Sequence, residues 1–188
     1  MSDGPLPWRT LSSRIVVSDR WLTLRADTCE TADGVRIDPF YVVDSVDVIV
    51  AIALTEDRQL VLVRQYRHGY GATTLELPAG RIDIGEDPVA ACRRELVEET
   101  GYSGTEARLL HSLSLDPLRY GNRVHIILIE GVSKIREPTD DPAERLETRL
   151  WPFAQATRLF LEREFVHAGQ AGALAIGLAI LEDETREE

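Results

Sequence analysis

Between Gly80 and Tyr102 the chain reads GRIDIGEDPVAACRRELVEETGY, and this stretch restricts the fold more than any other. Asp87 is a suitable N-cap, Pro88 suits the first helical turn, and Gly101 suits the position just past a helix end. They bracket a helix whose apolar positions Val89, Cys92, Leu96 and Val97 can face a core. The same helix carries Glu95, Glu98 and Glu99, which at about 100° per residue fall inside a wedge of roughly 100°. Three carboxylates converging there repel one another unless a cation sits between them. Hard divalent cations such as Mg²⁺ prefer oxygen ligands of this kind. The plain alternative is a solvated acidic face, which most charge runs are.

Strands surround this helix. Residues 10–43 read as a small antiparallel meander, in which 21–30 and 35–43 flank the tight-turn pair Asp33-Gly34. The run VDVIVAIAL at 46–54 is too continuously apolar for an edge strand. Further strands are expected at 59–66, 73–77 (ended by Pro78 and Gly80), 107–114, 123–131 and 146–151. Two helices, 153–165 and 170–183, close the chain, and the polar stretch 135–144 reads as a loop. Strands outnumbering helices in mixed order point to an α/β (α+β) sandwich. The 188 residues suit one compact domain with a short accessory segment, divided here as 1–45 and 46–188.

Charge and cysteine usage narrow the function. Twenty-one basic against 32 acidic residues leave a net charge of −11, which a phosphate backbone or an anionic membrane repels. No nucleic-acid or membrane partner is expected, and a phosphorylated substrate would need a metal cation as mediator. Cys29 and Cys92 are isolated thiols, and MSDGPLPW has neither the basic nor the apolar region of a signal peptide. A soluble, cytoplasmic protein is expected. The four histidines have no metal-ligand spacing, no serine has a G-x-S-x-G setting, and no P-loop occurs. Trp8, Trp21 and Trp151 are expected in a core or an interface.

The stretch from Gly80 resembles the Nudix box, G-x5-E-x7-R-E-U-x-E-E-x-G-U, with U a bulky apolar residue. Gly80, Glu86, Arg94, Glu95, Leu96, Glu98, Glu99 and Gly101 match, and Tyr102 stands at the last U. Seven fixed identities at ~7% usage each coincide by chance in roughly one chain in 10⁶. The resemblance implies a Nudix-type α/β/α sandwich of mixed sheet. It also implies that the Ala79 carbonyl, Glu95 and Glu99 bind Mg²⁺, with Mn²⁺ a possible substitute and Glu98 ligating directly or through water. Gly80 is expected to let the backbone turn sharply, so that a carbonyl there points towards the metals. Arg94 and Glu86 are expected to pair with each other or with neighbouring glutamates and so orient the helix carboxylates. The reaction implied is cleavage of a pyrophosphate bond into two monophosphates.

The run RQYRHGYGATTLELPAG resembles the ADP-ribose and nucleotide-sugar pyrophosphatase branch of that family. Arg67 is then a candidate for substrate phosphates, and Glu76 for support of the metal site from behind. Pro117 stands 16 residues after Gly101, where ADP-ribose pyrophosphatases carry a proline, but Leu118–Arg123 depart from their pattern. That departure makes an ADP- or GDP-hexose credible beside ADP-ribose, with Arg119 and Arg123 as substrate contacts or as plain surface charges. Glu144 best matches the branch's catalytic base on the later loop, and Glu147 is the alternative. The branch implies a homodimer formed through the N-terminal meander, with Trp21, Phe40 and Tyr41 as anchors. A dinucleotide or triphosphate substrate, or a non-catalytic nucleotide-sugar sensor, are the other readings.

Overall fold

The computed structural model describes residues 6–139 and 145–187. The chain divides into two compact units, one formed by residues up to 46 with 114–123, the other by 47–113 with 124–188. The linear division at 45/46 did not provide for segment 114–123 joining the first unit.

In that first unit β1 (Arg9–Ser18), β2 (Thr23–Glu30) and β3 (Arg36–Asp44) form an antiparallel sheet in the order β1-β2-β3. The β2–β3 turn closes through Gly34 N–H to Thr31 O at 3.0 Å, with Gly34 at φ 79°. A residue with a Cβ is disfavoured there, which is why the Asp-Gly pair marks the turn. Segment 114–123 is held to the sheet by Val43 N–H to Arg119 O at 2.8 Å and by Asn122 Nδ2 to Val46 O at 2.9 Å. Trp8 packs edge-on against Phe40, and Trp21, 72% exposed, is not a core residue.

The second unit is built on β4 (Val48–Thr55), the strand whose continuous apolar run predicted a central place. It pairs in parallel with β10 (Arg123–Lys134) and antiparallel with β5 (Gln59–Arg67) and with the short β7 (Ala79–Arg81). β11 (Glu147–Pro152) and β6 (Ala72–Glu76) pair with β5, while β8 (Tyr102–Ser103) and β9 (Glu106–Ser114) pair with β10. Alternation along β4 sends its side chains to opposite faces. Ile49, Ala51 and Ala53 join Ala91, Cys92 and Leu96 of α1 (Pro88–Thr100) in one core cluster. Val50, Ile52 and Leu54 join Ala173 and Leu174 of α2 (Ala168–Glu187) in the other. The result is an α/β/α sandwich. Gly177 lets α2 approach β4 closely, since a Cβ there would stand 2.1 Å from Ile52 Cδ1.

The structure corrects four local expectations. The first closing helix is a 3-10 segment over Phe153–Leu161, with Ala156 and Leu159 buried three residues apart, the period of that helix. On α1, Ala91 and Thr100 are buried alongside Cys92 and Leu96, whereas Val97 is only partly so. The chain does not leave the sheet at Pro78 but pairs again as β7. Gly80 lies in that strand opposite Ile49 and makes no sharp turn. Among the described residues no helix is long and apolar enough to cross a membrane.

Candidate active site

The helix α1 starts where Asp87 Oδ1 accepts the amides of Val89 and Ala90, at 2.9 and 3.1 Å, and stops where Gly101 adopts φ 75°. Satisfying the first-turn amides and terminating in the left-handed region fixes the length between these residues. Because β7 runs alongside the helix, Ala79 and Gly80 meet its carboxylates. Glu99 Oε2 accepts the Ala79 amide at 3.1 Å. The Glu95 carboxylate lies against the Gly80 backbone: a Cβ on Gly80 would stand 2.0 Å from its Cδ and 2.4 Å from its Oε1. Close approach, not backbone conformation, is therefore what demands glycine at this position.

A single guanidinium organises the group. Arg94 forks onto Glu86 through Nε to Oε1 at 3.0 Å and Nη2 to Oε2 at 2.9 Å. Its Nη1 reaches Glu95 Oε1 at 2.8 Å and Glu98 Oε2 at 3.2 Å, and Nη2 also donates to Arg81 O at 3.0 Å. The Arg94 bonds, with the Asp83 amide, hold the Glu86 carboxyl down at about 2, and the carboxylates raise the Arg94 pKa in turn. A carboxylate held below its ordinary value of 4.5 stabilises the fold above that pH, and the contribution disappears as pH falls towards about 2. Glu86→Gln should therefore lower the urea midpoint at neutral pH. The difference from wild type should shrink through this window, and a gap independent of pH would refute the assignment.

The residues fit a divalent cation by donor chemistry, three carboxylates on one helix face, and by the Gly80 cradle that admits the Glu95 carboxylate. As they stand, no three acidic, His or Cys side chains among the described residues converge as a closed cage. Arg94 Nη1 lies between Glu95 and Glu98, ion-paired with both.

The other expected residues separate. Arg67, at the end of β5, forks onto Glu76 at 2.8 and 2.6 Å. Glu76 is 1% exposed and also accepts Thr74 Oγ1 at 2.6 Å. Burial by itself would raise its carboxyl pKa, but the Arg67 and Thr74 bonds outweigh this and hold it below the ordinary value. Arg119 and Arg123 belong to the first unit, where Arg119 donates to Tyr41 O at 3.4 Å. Glu147 lies on β11 opposite Arg64, paired with Arg64 at 3.6 Å and with Arg149 at 2.7 Å. Glu144 lies outside the described residues. Sequence reasoning missed the chain Ser112 Oγ to His125 Nδ1 (2.8 Å) and His125 Nε2 to Asp47 Oδ2 (3.3 Å). It also missed the partners of Glu76, although an acid between Leu75 and Leu77 in a strand was a signal that something must neutralise it.

A NUDIX domain matches residues 45–170. The chain belongs to the Nudix family. Residues 8–43 of this Nudix protein match a nucleoside diphosphate sugar hydrolase N-terminal domain. It is 31% identical over 172 residues to the ADP-ribose pyrophosphatase of Mycobacterium tuberculosis, covering 90% of this chain and 83% of that one. It is also 31% identical to the methanol dehydrogenase activator of Bacillus methanolicus, over 67% of this chain and 68% of that one. Its fold matches the crystal structure of an ADP compounds hydrolase at a TM-score of 0.87 and 25% identity, covering 98% of this chain and all of that one.

Proposed function

We propose that this Nudix enzyme hydrolyses the pyrophosphate bond of a nucleoside diphosphate sugar, ADP-ribose or an ADP- or GDP-hexose, to a nucleoside monophosphate and a sugar phosphate. The carboxylate face of α1, pinned by Arg94 against Ala79 and Gly80, carries the chemistry. The likeness of residues 8–43 to a nucleoside diphosphate sugar hydrolase segment supports the substrate class.

Glu95, Glu99 and the Ala79 carbonyl would hold Mg²⁺, with Glu98 beside them. A cation held there would supply charge neutralisation for the phosphates and a more acidic bound water. Glu86 and Arg94 keep the helix carboxylates oriented. Glu144 accepts the proton of the attacking water. Its rival Glu147 is already paired with Arg64 and Arg149 on the sheet. Glu144→Gln should lower kcat by about 10²- to 10⁴-fold with Mg²⁺ affinity nearly intact, and unchanged turnover would move the role to Glu147.

The deciding experiment follows monophosphates released with Mg²⁺ from ADP-ribose, ADP-glucose, GDP-mannose, UDP-glucose, NADH and a triphosphate. Cleavage of one or two sugar nucleotides names the sugar. Silence with nucleotide-sugar binding retained identifies a sensor, and preference for NADH or the triphosphate replaces the substrate class.

The meander sheet supports a homodimer, because Ile15, Val17 and Trp21 expose 58%, 44% and 72% of their surface. Light scattering at micromolar protein should give twice the chain mass, and Ile15→Glu should return it to one chain. A wild-type monomer would remove the dimer from the reading. The buried free thiols Cys29 and Cys92 suit a reducing, cytoplasmic location.

A further inference from the structure

Between β6 and β7 the backbone leaves one strand partner and takes another. The β5–β6 pairing ends at Val63 with Glu76, and the β4–β7 pairing begins at Val50 with Ala79. Leu77 and Pro78 form the crossover. Pro78 has no N–H, and its carbonyl is taken by the Ala51 amide at 2.8 Å. Leu77 is fully buried, so its amide needs a partner inside the protein. That partner is a side chain 93 residues further on: Gln170 Oε1 accepts the Leu77 N–H at 2.7 Å. The other end of the same amide, Nε2, donates to Glu76 Oε2 at 3.1 Å. Gln170 is 4% exposed in the first turn of α2, and its own N–H is capped by His167 Nδ1 at 3.3 Å.

We propose that Gln170 is a positioning residue for the cation site, acting through the crossover Glu76-Leu77-Pro78 on Ala79 and Gly80. An amide meets both demands without a charge at any pH. One end must accept from a backbone N–H, and the other must donate to a buried carboxylate that already takes Arg67 and Thr74. Two residues beyond the clamp, Ala79 meets Glu99, and Gly80 forms the surface under Glu95. A displacement of the crossover moves both together. The α2 helix thus does more than cover the sheet, because its first turn sets the register of the strand that faces the carboxylates.

The inference rests on the cation site proposed above, and its test reads metal binding separately from turnover. Gln170→Leu keeps the volume and loses both bonds. Its dissociation constant for Mn²⁺, titrated by electron paramagnetic resonance, should rise about tenfold. With the substrate identified by the panel, kcat should fall by about tenfold while KM changes less than about threefold. Wild-type Mn²⁺ affinity and kcat in a folded Gln170→Leu protein would overturn the proposal, as would a lowered melting temperature with both values unchanged.

Should that variant fail to fold, Gln170→Glu serves instead, since a carboxyl in the first turn of α2 suits the helix. Ionised, it opposes Glu76, with the Arg67 guanidinium as the neighbouring cation and His167 Nδ1 accepting the residue-170 amide. Protonated, it reproduces both bonds. Its activity relative to wild type should therefore rise as pH falls, and a flat ratio would overturn the proposal. If wild type hydrolyses nothing in the panel, the substrate reading fails, while Mn²⁺ affinity still decides the role of Gln170.

Discussion

Glu99→Gln should lower kcat by about 10²- to 10³-fold while leaving the melting temperature near that of wild type. The separation follows from the two functions of this side chain. Its Oε2 accepts the Ala79 amide at 3.1 Å, and a glutamine oxygen in the same place does so equally well. The strand β7 therefore stays docked. What disappears is one of three negative charges on the helix face, and with it part of the affinity of the proposed site for a hard cation. Calorimetry and Mg²⁺-dependence measured together decide the matter. A fall in melting temperature with turnover retained would show that Glu99 serves the docking of β7 only.

Gly80→Ala is the second large effect, and it should fall on activity, with kcat lowered by about 10²-fold. The added Cβ would stand 2.0 Å from Glu95 Cδ, so one of the two must move. Glu95 meets it with the end of a flexible side chain, whereas Gly80 is held in the β4–β7 ladder opposite Ile49. The carboxylate yields and the fold persists. Gly101 supplies the contrast: its Cβ would stand 2.0 Å from the backbone oxygen of Arg136, at φ 75°. Backbone cannot swing aside, so Gly101→Ala should lower stability by about 1–3 kcal/mol. Urea midpoints and kcat for both variants test the pair. Wild-type kcat in Gly80→Ala would show that the place of Glu95 against this glycine is not needed for turnover.

Much of the site was legible because its information is local. The helix α1 runs from Pro88 to Thr100 because Asp87, Pro88 and Gly101 act within one turn of themselves. The wedge of Glu95, Glu98 and Glu99 follows from helical period alone, as does the burial of Cys92 and Leu96. The central place of β4 followed from an apolar run with no solvent-facing alternation. The pairing of Arg94 with Glu86, eight residues away across the 83–87 turn, was also within reach of spacing.

Contacts between distant segments were not legible, because side-chain type does not name its partner. Arg67 looked free to meet phosphate until the fold placed it against Glu76, a carboxylate whose burial requires a cation. The reason for Gly80 was misread as a turn, since only the packing of α1 beside β7 reveals that Glu95 occupies the space of a Cβ. Gln170 carried no signal, as a glutamine in a helix is ordinary until a strand crossover 93 residues away presents an unpaired amide. The sequence by itself determined the helix, its caps and the charge on its face, because these depend on neighbours within a few residues. The tertiary structure alone decided which backbone and which counter-charge that face meets, because burial makes every polar group find a partner wherever the fold puts one.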